Sequence, residues 1–286
     1  MDVLSLFDGI SCGRIALERV GIDVDKYYAS EIDKFAIKVS TANYPDIIQL
    51  GDINNWKNWD IDWSKIDLLI GGSPCQGFSF AGKKLNFEDP RSKLFFIYVD
   101  ILNHIKTFNP NVKFLLENVK MKAEWQDVIS GYLGVQPIRI NSETLTAAKR
   151  DRLYWANFDV AQPKNKGITF DDINQHSTEW LSDEYIDRVS KWKAQQDPIK
   201  NATHIGKKQK LPCLTARGYN QSHSGMILIT DGTKYRRLTN EEAEMAMTLP
   251  VGYTAYVSDR ERARCIGNGW SVDVIAHIFK NLTVQN

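Results

Sequence analysis

The sequence predicts a doubly wound α/β fold. Three observations carry that expectation: short apolar runs alternate with helix-period segments over the first half of its 286 residues, 43% of the residues are hydrophobic against 25% charged, and neither an internal repeat nor a low-complexity segment breaks the pattern. Apolar runs at 3–7, 27–30, 66–70 and 112–116 read as strands, and the segments that follow them at 14–20, 34–43, 93–108 and 123–132 read as helices. Strand–helix repetition implies parallel strands joined by right-handed crossovers. A fifth strand follows at 153–156. Beyond it the chain turns polar and basic, with one helix over 182–195, strands over 211–215 and 226–230, and an Asp231-Gly232 turn into a strand over 234–238. Thr239 with Glu242 and Ser258 with Glu261 have capping-box spacing and announce two helices, and Ser271 opens a last apolar helix through Leu282. The expected division is a first domain over 1–158, a small irregular domain over 159–237, and helices over 238–286 that return to the first.

Composition excludes several classes. The longest apolar runs are too short to cross a bilayer, and the N-terminus carries acids but no basic n-region, so it reads as a strand and the chain is expected in the cytoplasm. Cys12, Cys75, Cys213 and Cys265 are far apart, which suggests neither a disulfide framework nor a zinc site. The net charge of +1 hides an asymmetry: residues 188–237 hold eleven Lys and Arg against two Asp, a local +9 that leaves −8 on the remainder. Such a basic segment can grip phosphates, with Lys207, Lys208 and Lys210 as candidates; it equally fits a solvated lysine-rich loop.

Doubly wound sheets bind ligands at the carboxyl ends of their strands. That edge receives Phe7-Asp8-Gly9, Glu31, Gly71 to Cys75, and Glu117-Asn118. Phe7-Asp8-Gly9-Ile10-Ser11-Cys12-Gly13 is a small-residue turn opening a helix, where a ligand can lie against backbone amides. Glu31 ends the second strand, where nucleoside-binding folds place an acid for ribose hydroxyls, and Asp52 can accept from an adenine amino group; both also fit helix-capping or surface acids. Cys75 lies in a Gly/Ser/Pro-rich loop, a setting that favours a nucleophile over a buried structural thiol. Glu117, partly desolvated at a strand end, can serve as proton donor, and Arg150 and Arg152, spaced to share one side of a strand, can bind a carbonyl oxygen or phosphate.

In order and spacing, residues 7–13, Glu31, Gly51-Asp52-Ile53, Pro74-Cys75-Gln76, Glu117-Asn118-Val119, Arg150-Asp151-Arg152, Arg237-Leu238-Thr239 and Gly267-Asn268-Gly269 resemble the motifs of DNA cytosine C5-methyltransferases. The resemblance covers nearly the whole chain apart from roughly 160–210. Leu4 to Ile10, Tyr28 to Glu31 and Trp270-Ser271-Val272 are similar to the animal de novo enzymes, whereas Gln76, Asn268 and the compact length look bacterial or phage. It implies an S-adenosylmethionine-dependent, Rossmann-like sheet with a target-recognition domain over 159–237, acting on double-stranded DNA without a metal, with a restriction endonuclease as a partner in some such systems. Cys75 would attack C6 of a flipped cytosine, Glu117 would bond N3 and the exocyclic amine, Arg152 would hold O2, and Arg150 would support the sugar-phosphate or the active-site loop. Phe7, Asp8, Gly9, Ser11, Cys12, Gly13, Glu31, Ile32, Asp52, Ile53, Pro74, Leu94, Asn268, Trp270 and Ser271 would hold the cofactor. DNA contacts would come from Gln76, Ser79, Lys83 and Arg91 around a mobile loop, and from Arg217, Tyr219, Asn220 and Gln221 in the recognition segment.

Two departures stand out. Ser11 and Cys12 replace the last two glycines of the bacterial turn, and Ala148 stands where the family has a glutamine two residues before Arg150, removing one expected hydrogen bond. An RNA cytosine methyltransferase of the same fold, a DNA-binding protein that has lost activity and a nicotinamide-dependent oxidoreductase are the rival readings. Intact Cys75, Glu117 and Arg152 speak against the second, and the third leaves Cys75 unused.

Overall fold

A computed structural model describes residues 1–73, 90–190, 202–217, 219 and 226–282. The chain divides into two compact units, one of Met1–Ile140, Asp151–Gln162 and Ile275–Asn286, the other of Asn141–Arg150 and Pro163–Val274.

The first unit is built on seven strands: β1 (Asp2–Leu6), β2 (Lys26–Ser30), β3 (Ile48–Gln49), β4 (Ile66–Gly71), β5 (Lys113–Val119), β6 (Ile138–Asn141) and β7 (Asp151–Ala156), in the order β3-β2-β1-β4-β5-β7-β6. β1 to β5 pair in parallel, as the alternation predicts, but β7 runs antiparallel to β5, with Glu117 opposite Tyr154 and Val119 opposite Arg152. The short 142–150 connection between β6 and β7 has no room for a crossover helix, so a parallel return is sterically closed to it. Val3, Leu4, Leu6, Leu68, Leu69, Ile70, Leu115 and Leu116 are all fully buried, the run of apolar residues that a sheet covered on both faces requires.

Helices α1 (Cys12–Arg19), α2 (Lys34–Asn43), α3 (Pro90–Phe108) and α4 (Ala123–Leu133) fall where helical spacing places them. On α3, Phe95, Tyr98, Ile101, Leu102 and Ile105 repeat at three- and four-residue steps and are buried against the sheet. Tyr98 lies so close to the end of β4 that a Cβ on Gly71 would come within 3.1 Å of its ring and 3.0 Å of the Leu6 carbonyl oxygen. Glycine there lets α3 sit down on the strand that leads toward Cys75.

The second unit holds a three-stranded sheet of β8 (Thr203–Ile205), β9 (Ile227–Thr230) and β10 (Tyr235–Arg237), ordered β10-β9-β8, with helices α5 (Asp183–Ser190), α6 (Asn240–Ala246) and α7 (Asp259–Asn268). α8 (Val272–Phe279) begins in this unit and ends in the first. The Asp231-Gly232 turn forms as expected: Asp231 Oδ1 accepts from the amides of Thr233 and Lys234, each at 2.8 Å, and Gly232 has φ +102°. Thr239 and Glu242 form a complete capping box at α6, whereas Glu261 pairs with Arg264 at 2.6 Å and Ser258 makes no side-chain cap. No strand forms over 211–215, where Leu211 alone bridges to Ala148. The expected helix over 182–195 is seen as α5, its remainder from 191 lying outside the described residues.

Candidate active site

The glycine turn after β1 is held open from behind. Phe7, Gly9 and Ser11 all take left-handed backbone angles, with φ of 58°, 60° and 59°, an arrangement that costs energy at the two non-glycine positions; the amides of Asp8, Gly9 and Ser11 donate to the Ser30 carbonyl oxygen, Glu31 Oε2 and the Asp8 carbonyl oxygen. Asp8 supplies the restraint: its Oδ2 accepts from Ser11 Oγ at 2.5 Å and its Oδ1 from Tyr27 Oη at 2.8 Å, while Ser11 Oγ also lies 2.5 Å from Ser40 Oγ. Burial pushes the Asp8 carboxyl up to about 6 despite those donors. Asp8 is thus placed behind the turn. Ser11 and Cys12 are also buried.

Glu31 closes the opposite side. Its Oε2 accepts from Gly9 N at 2.8 Å, and its Oε1 from Ile32 N at 2.7 Å and Asp33 N at 2.8 Å. This carboxylate joins the ends of β1 and β2. Ile32 beside it is 74% exposed, an apolar side chain suited to cover a planar ring, and among the described residues no atom beyond its chain neighbours stands within 4 Å of where a Gly9 Cβ would be. That open cradle, acid and apolar cover fit an adenosine-containing cofactor. Asp52 follows Gly51 (φ +72°) and uses Oδ1 to cap the next turn at Asn54, whereas Ile53 is buried in the core. Leu94 packs half-buried on the core from α3. The other expected cofactor residues belong to the second unit: Asn268 is exposed, Trp270 half-buried, and the buried Ser271 hydroxyl lies 3.6 Å from Met247 Sδ.

At the ends of β5 and β7, Arg152 Nε lies 2.8 Å from Glu117 Oε1, both groups largely shielded from water. Arg152 Nη1 also donates to the Asp151 carbonyl oxygen at 2.9 Å, and Asp151 is turned outward onto Arg139. A carboxylate and a guanidinium are therefore locked side by side. Asn118, one residue on, donates through Nδ2 to the Ser73 carbonyl oxygen at 3.3 Å and to Ser73 Oγ at 3.2 Å. It fixes the backbone two residues before Cys75 to the strand carrying Glu117. Sequence reasoning gave Asn118 no task, although a buried polar residue ending an apolar strand was the available signal.

Arg150 does not join Arg152. It precedes β7, and its Nη1 donates to the carbonyl oxygens of Leu214 at 3.2 Å and Gly267 at 3.3 Å within the second unit. At Ala148, where the family has glutamine, Ser142 Oγ and Thr146 Oγ1 donate to the main-chain carbonyl oxygen at 2.6 and 3.0 Å.

Among the expected DNA contacts, Arg217 is exposed. Tyr219 corrects its assignment: it is 1% exposed and its hydroxyl donates to Asn240 Oδ1 at 2.5 Å, because a ring of that size completes the interior of this unit. Lys210 is corrected likewise, for its ammonium donates to the carbonyl oxygens of Glu143, Thr146 and Ile168 and burial pushes it down. Pro74, Cys75, Gln76, Ser79, Lys83, Asn220 and Gln221 lie outside the described residues, as does the side chain of Arg91.

Known proteins resemble this chain in sequence and in fold. The family of C-5 cytosine-specific DNA methylases matches residues 1–126 and 139–284. The chain is 30% identical to the type II methyltransferase M.NlaX of Neisseria lactamica over 98% of its own length and 95% of that protein. It is 44% identical to the orphan methyltransferase M.Rho11sI of Bacillus phage rho11s over 41% of its own length, spanning only 23% of that protein. In fold it resembles a crystal structure of a Spodoptera frugiperda DNMT2 mutant, with TM-score 0.71, 21% identity and coverage of 98% of this chain and 99% of that one.

Proposed function

The chain belongs to the C-5 cytosine-specific DNA methylase family, and from that premise we propose which of its residues carry out the reaction and how. It is a DNA cytosine C5-methyltransferase and uses S-adenosylmethionine, which supplies a methyl group on a positively charged sulfur. The turn at Phe7, Gly9 and Ser11, with Glu31, Ile32 and Asp52, would hold the cofactor in the first unit. Asn268, Trp270, Ser271, Pro74 and Leu94 complete the proposed set.

Cytosine C5 is a weak nucleophile until a group adds across the C5–C6 bond. We assign that addition to Cys75: its Sγ bonds to C6, and the ring electrons pushed toward N3 are stabilised by a proton shared with Glu117. Arg152 stabilises the charge on O2. C5, now electron-rich, accepts the methyl group; loss of the C5 proton then expels the Cys75 thiolate and restores the aromatic ring. The target must leave the duplex stack to reach these groups. The single observation that supports this reading is the Glu117–Arg152 pair, tied through Asn118 to the strand end that leads into Cys75.

We assign 1–158 to catalysis and cofactor binding and 159–237 to target recognition with Arg217 as base reader; of the expected 238–286 return, Ile275–Asn286 joins the first unit, whereas α6 and α7 stay in the second. Because the full-length relative is a type II methyltransferase, we propose that the mark shields cytoplasmic DNA from an endonuclease of the same specificity. Incubation with labelled S-adenosylmethionine and mixed-sequence duplex DNA, followed by nucleoside mass spectrometry and bisulfite sequencing, should give 5-methylcytosine at one defined sequence. Cys75→Ser should lose all methyl transfer while retaining DNA affinity, and Glu117→Gln should lower turnover by about 10²–10⁴-fold, the usual scale of acid–base assistance. Activity on RNA but not on DNA would redirect the substrate assignment, and full activity of Cys75→Ser would remove the mechanism.

A further inference from the structure

Arg150 is 7% exposed, and nothing in the reaction above consumes its charge. Its Nη1 sits among three acceptors of the second unit: the carbonyl oxygens of Leu214 and Gly267, at 3.2 and 3.3 Å, and Cys213 Sγ at 3.9 Å. Its own backbone is immobilised, the amide donating to Asn141 Oδ1 at 3.1 Å and the carbonyl accepting from Ser142 N at 3.0 Å. Both hydrogen bonds to carbonyl oxygens are charge-assisted, and the rigid guanidinium plane holds Nη1 at a fixed reach from the backbone that a flexible lysine stem does not reproduce.

Gly267 closes the other side. A Cβ there would lie 2.2 Å from both the carbonyl carbon and the carbonyl oxygen of Thr215, and 2.6 Å from Ala216 N. The helix end therefore rests directly on the 215–216 backbone, and any side chain would push that backbone away. Upstream, Leu211 N donates to the Ala147 carbonyl oxygen at 2.8 Å and Lys149 N donates to the Leu211 carbonyl oxygen at 2.9 Å. The stretch from Leu211 to Ala216 is thus pinned by Ala147 and Lys149 at its start, by Arg150 at its middle and by Gly267 at its end. Arg217, the next residue, is exposed.

We propose that Arg150 and Gly267 form a clasp that sets the position from which Arg217 reads its base pair, making Arg150 a positioning residue for sequence recognition. This rests on the assignment of Arg217 to base reading. The segment bearing Arg150 runs straight into Asp151 and Arg152, so the residue that fixes the reading loop is two peptide units from the arginine assigned to the cytosine.

The test compares wild-type protein with Arg150→Lys, Gly267→Ala and Arg217→Ala on a library of duplexes carrying every single-base change in the preferred sequence, read by bisulfite sequencing. Arg217→Ala should flatten preference at one base pair about tenfold, the scale of one lost bidentate contact. Arg150→Lys and Gly267→Ala should flatten the same base pair, and Arg150→Lys combined with Arg217→Ala should add nothing there. Hydrogen exchange at the amides of 214–217 should accelerate in both clasp variants, with affinity for S-adenosylhomocysteine within twofold of wild type. An unchanged preference in a folded clasp variant would overturn the proposal, as would relaxation at a base pair that Arg217→Ala leaves intact, or lost turnover with preference kept. If neither clasp variant folds, wild-type amides at 214–216 that exchange as fast as free peptide would overturn it equally. Wild-type protein that marks no defined DNA sequence would instead remove the recognition assignment, and the clasp with it.

Discussion

Asp8 shows how much a single carboxyl can decide. It lies behind the cofactor turn, faced by Ser5, Ser11 and Tyr27 as hydrogen-bond donors and by Glu31 as a like charge, and burial outweighs the donors to leave it titrating at about 6. A carboxyl raised on folding stabilises the native state while it is protonated, fully below its unfolded value near 3.8, and loses that stabilisation as pH climbs through about 6. The difference amounts to roughly 2–3 kcal/mol between pH 4 and pH 7. Thermal melts of wild type should therefore fall more steeply between pH 4.5 and about 7 than those of Asp8→Asn; parallel curves would give Asp8 an ordinary carboxyl. At this scale the sequence was informative about residue identity and blind to direction. Glu31, Glu117 and Arg152 could be placed at the strand ends because strand ends are where such sheets bind ligands. The inward turn of Asp8, the burial of Tyr219 and the capture of Lys210 by three carbonyls depend on neighbours 19 to 67 residues away, which no local pattern encodes.

Among the elements, α6 carries the clearest link between a short motif and stability. Thr239 and Glu242 cap it reciprocally, but Glu242 is fully buried and also receives both terminal nitrogens of Arg236, at 2.7 and 2.8 Å, while Arg236 Nη2 donates to Asn174 Oδ1. Loss of the Thr239 hydroxyl should cost about 1 kcal/mol, as caps do. Glu242→Ala strands a buried guanidinium and should cost about 3–5 kcal/mol. Chemical denaturation of the two variants separates these costs; equal losses would mean that the ion pair contributes nothing beyond the cap. The capping box was legible because its spacing is local. β3, β6 and β8 were not, being two to four residues long with partners supplied from elsewhere in the chain, and the expected strand over 211–215 was an apolar stretch spent on the clasp.

For the whole molecule, charge is the property that composition gets right in sum and wrong in detail. The basic segment exists, yet its lysines are not equivalent: Lys207 and Lys208 are exposed, whereas Lys210 is committed to the carbonyls of Glu143, Thr146 and Ile168. Replacing Lys207 and Lys208 with Gln should reduce the salt dependence of DNA binding by about two units of log–log slope. Lys210→Gln should leave that slope unchanged and lower the melting temperature. A slope indifferent to Lys207 and Lys208 would place both in solvent, away from the duplex.

The first unit is assembled from three separated stretches of chain, the last of them Ile275–Asn286. In it His277 Nε2 reaches the Ala161 carbonyl oxygen at 2.7 Å and Asn281 Nδ2 donates to the Asp159 carbonyl oxygen at 3.3 Å. At a synthesis rate of about 5–20 residues per second, these residues emerge from the ribosome roughly 6–25 s after Gln162. For that interval a nascent chain lacks the partners of Asp159 and Ala161, and the late arrival of a few apolar turns is what makes the first-made half of the protein whole.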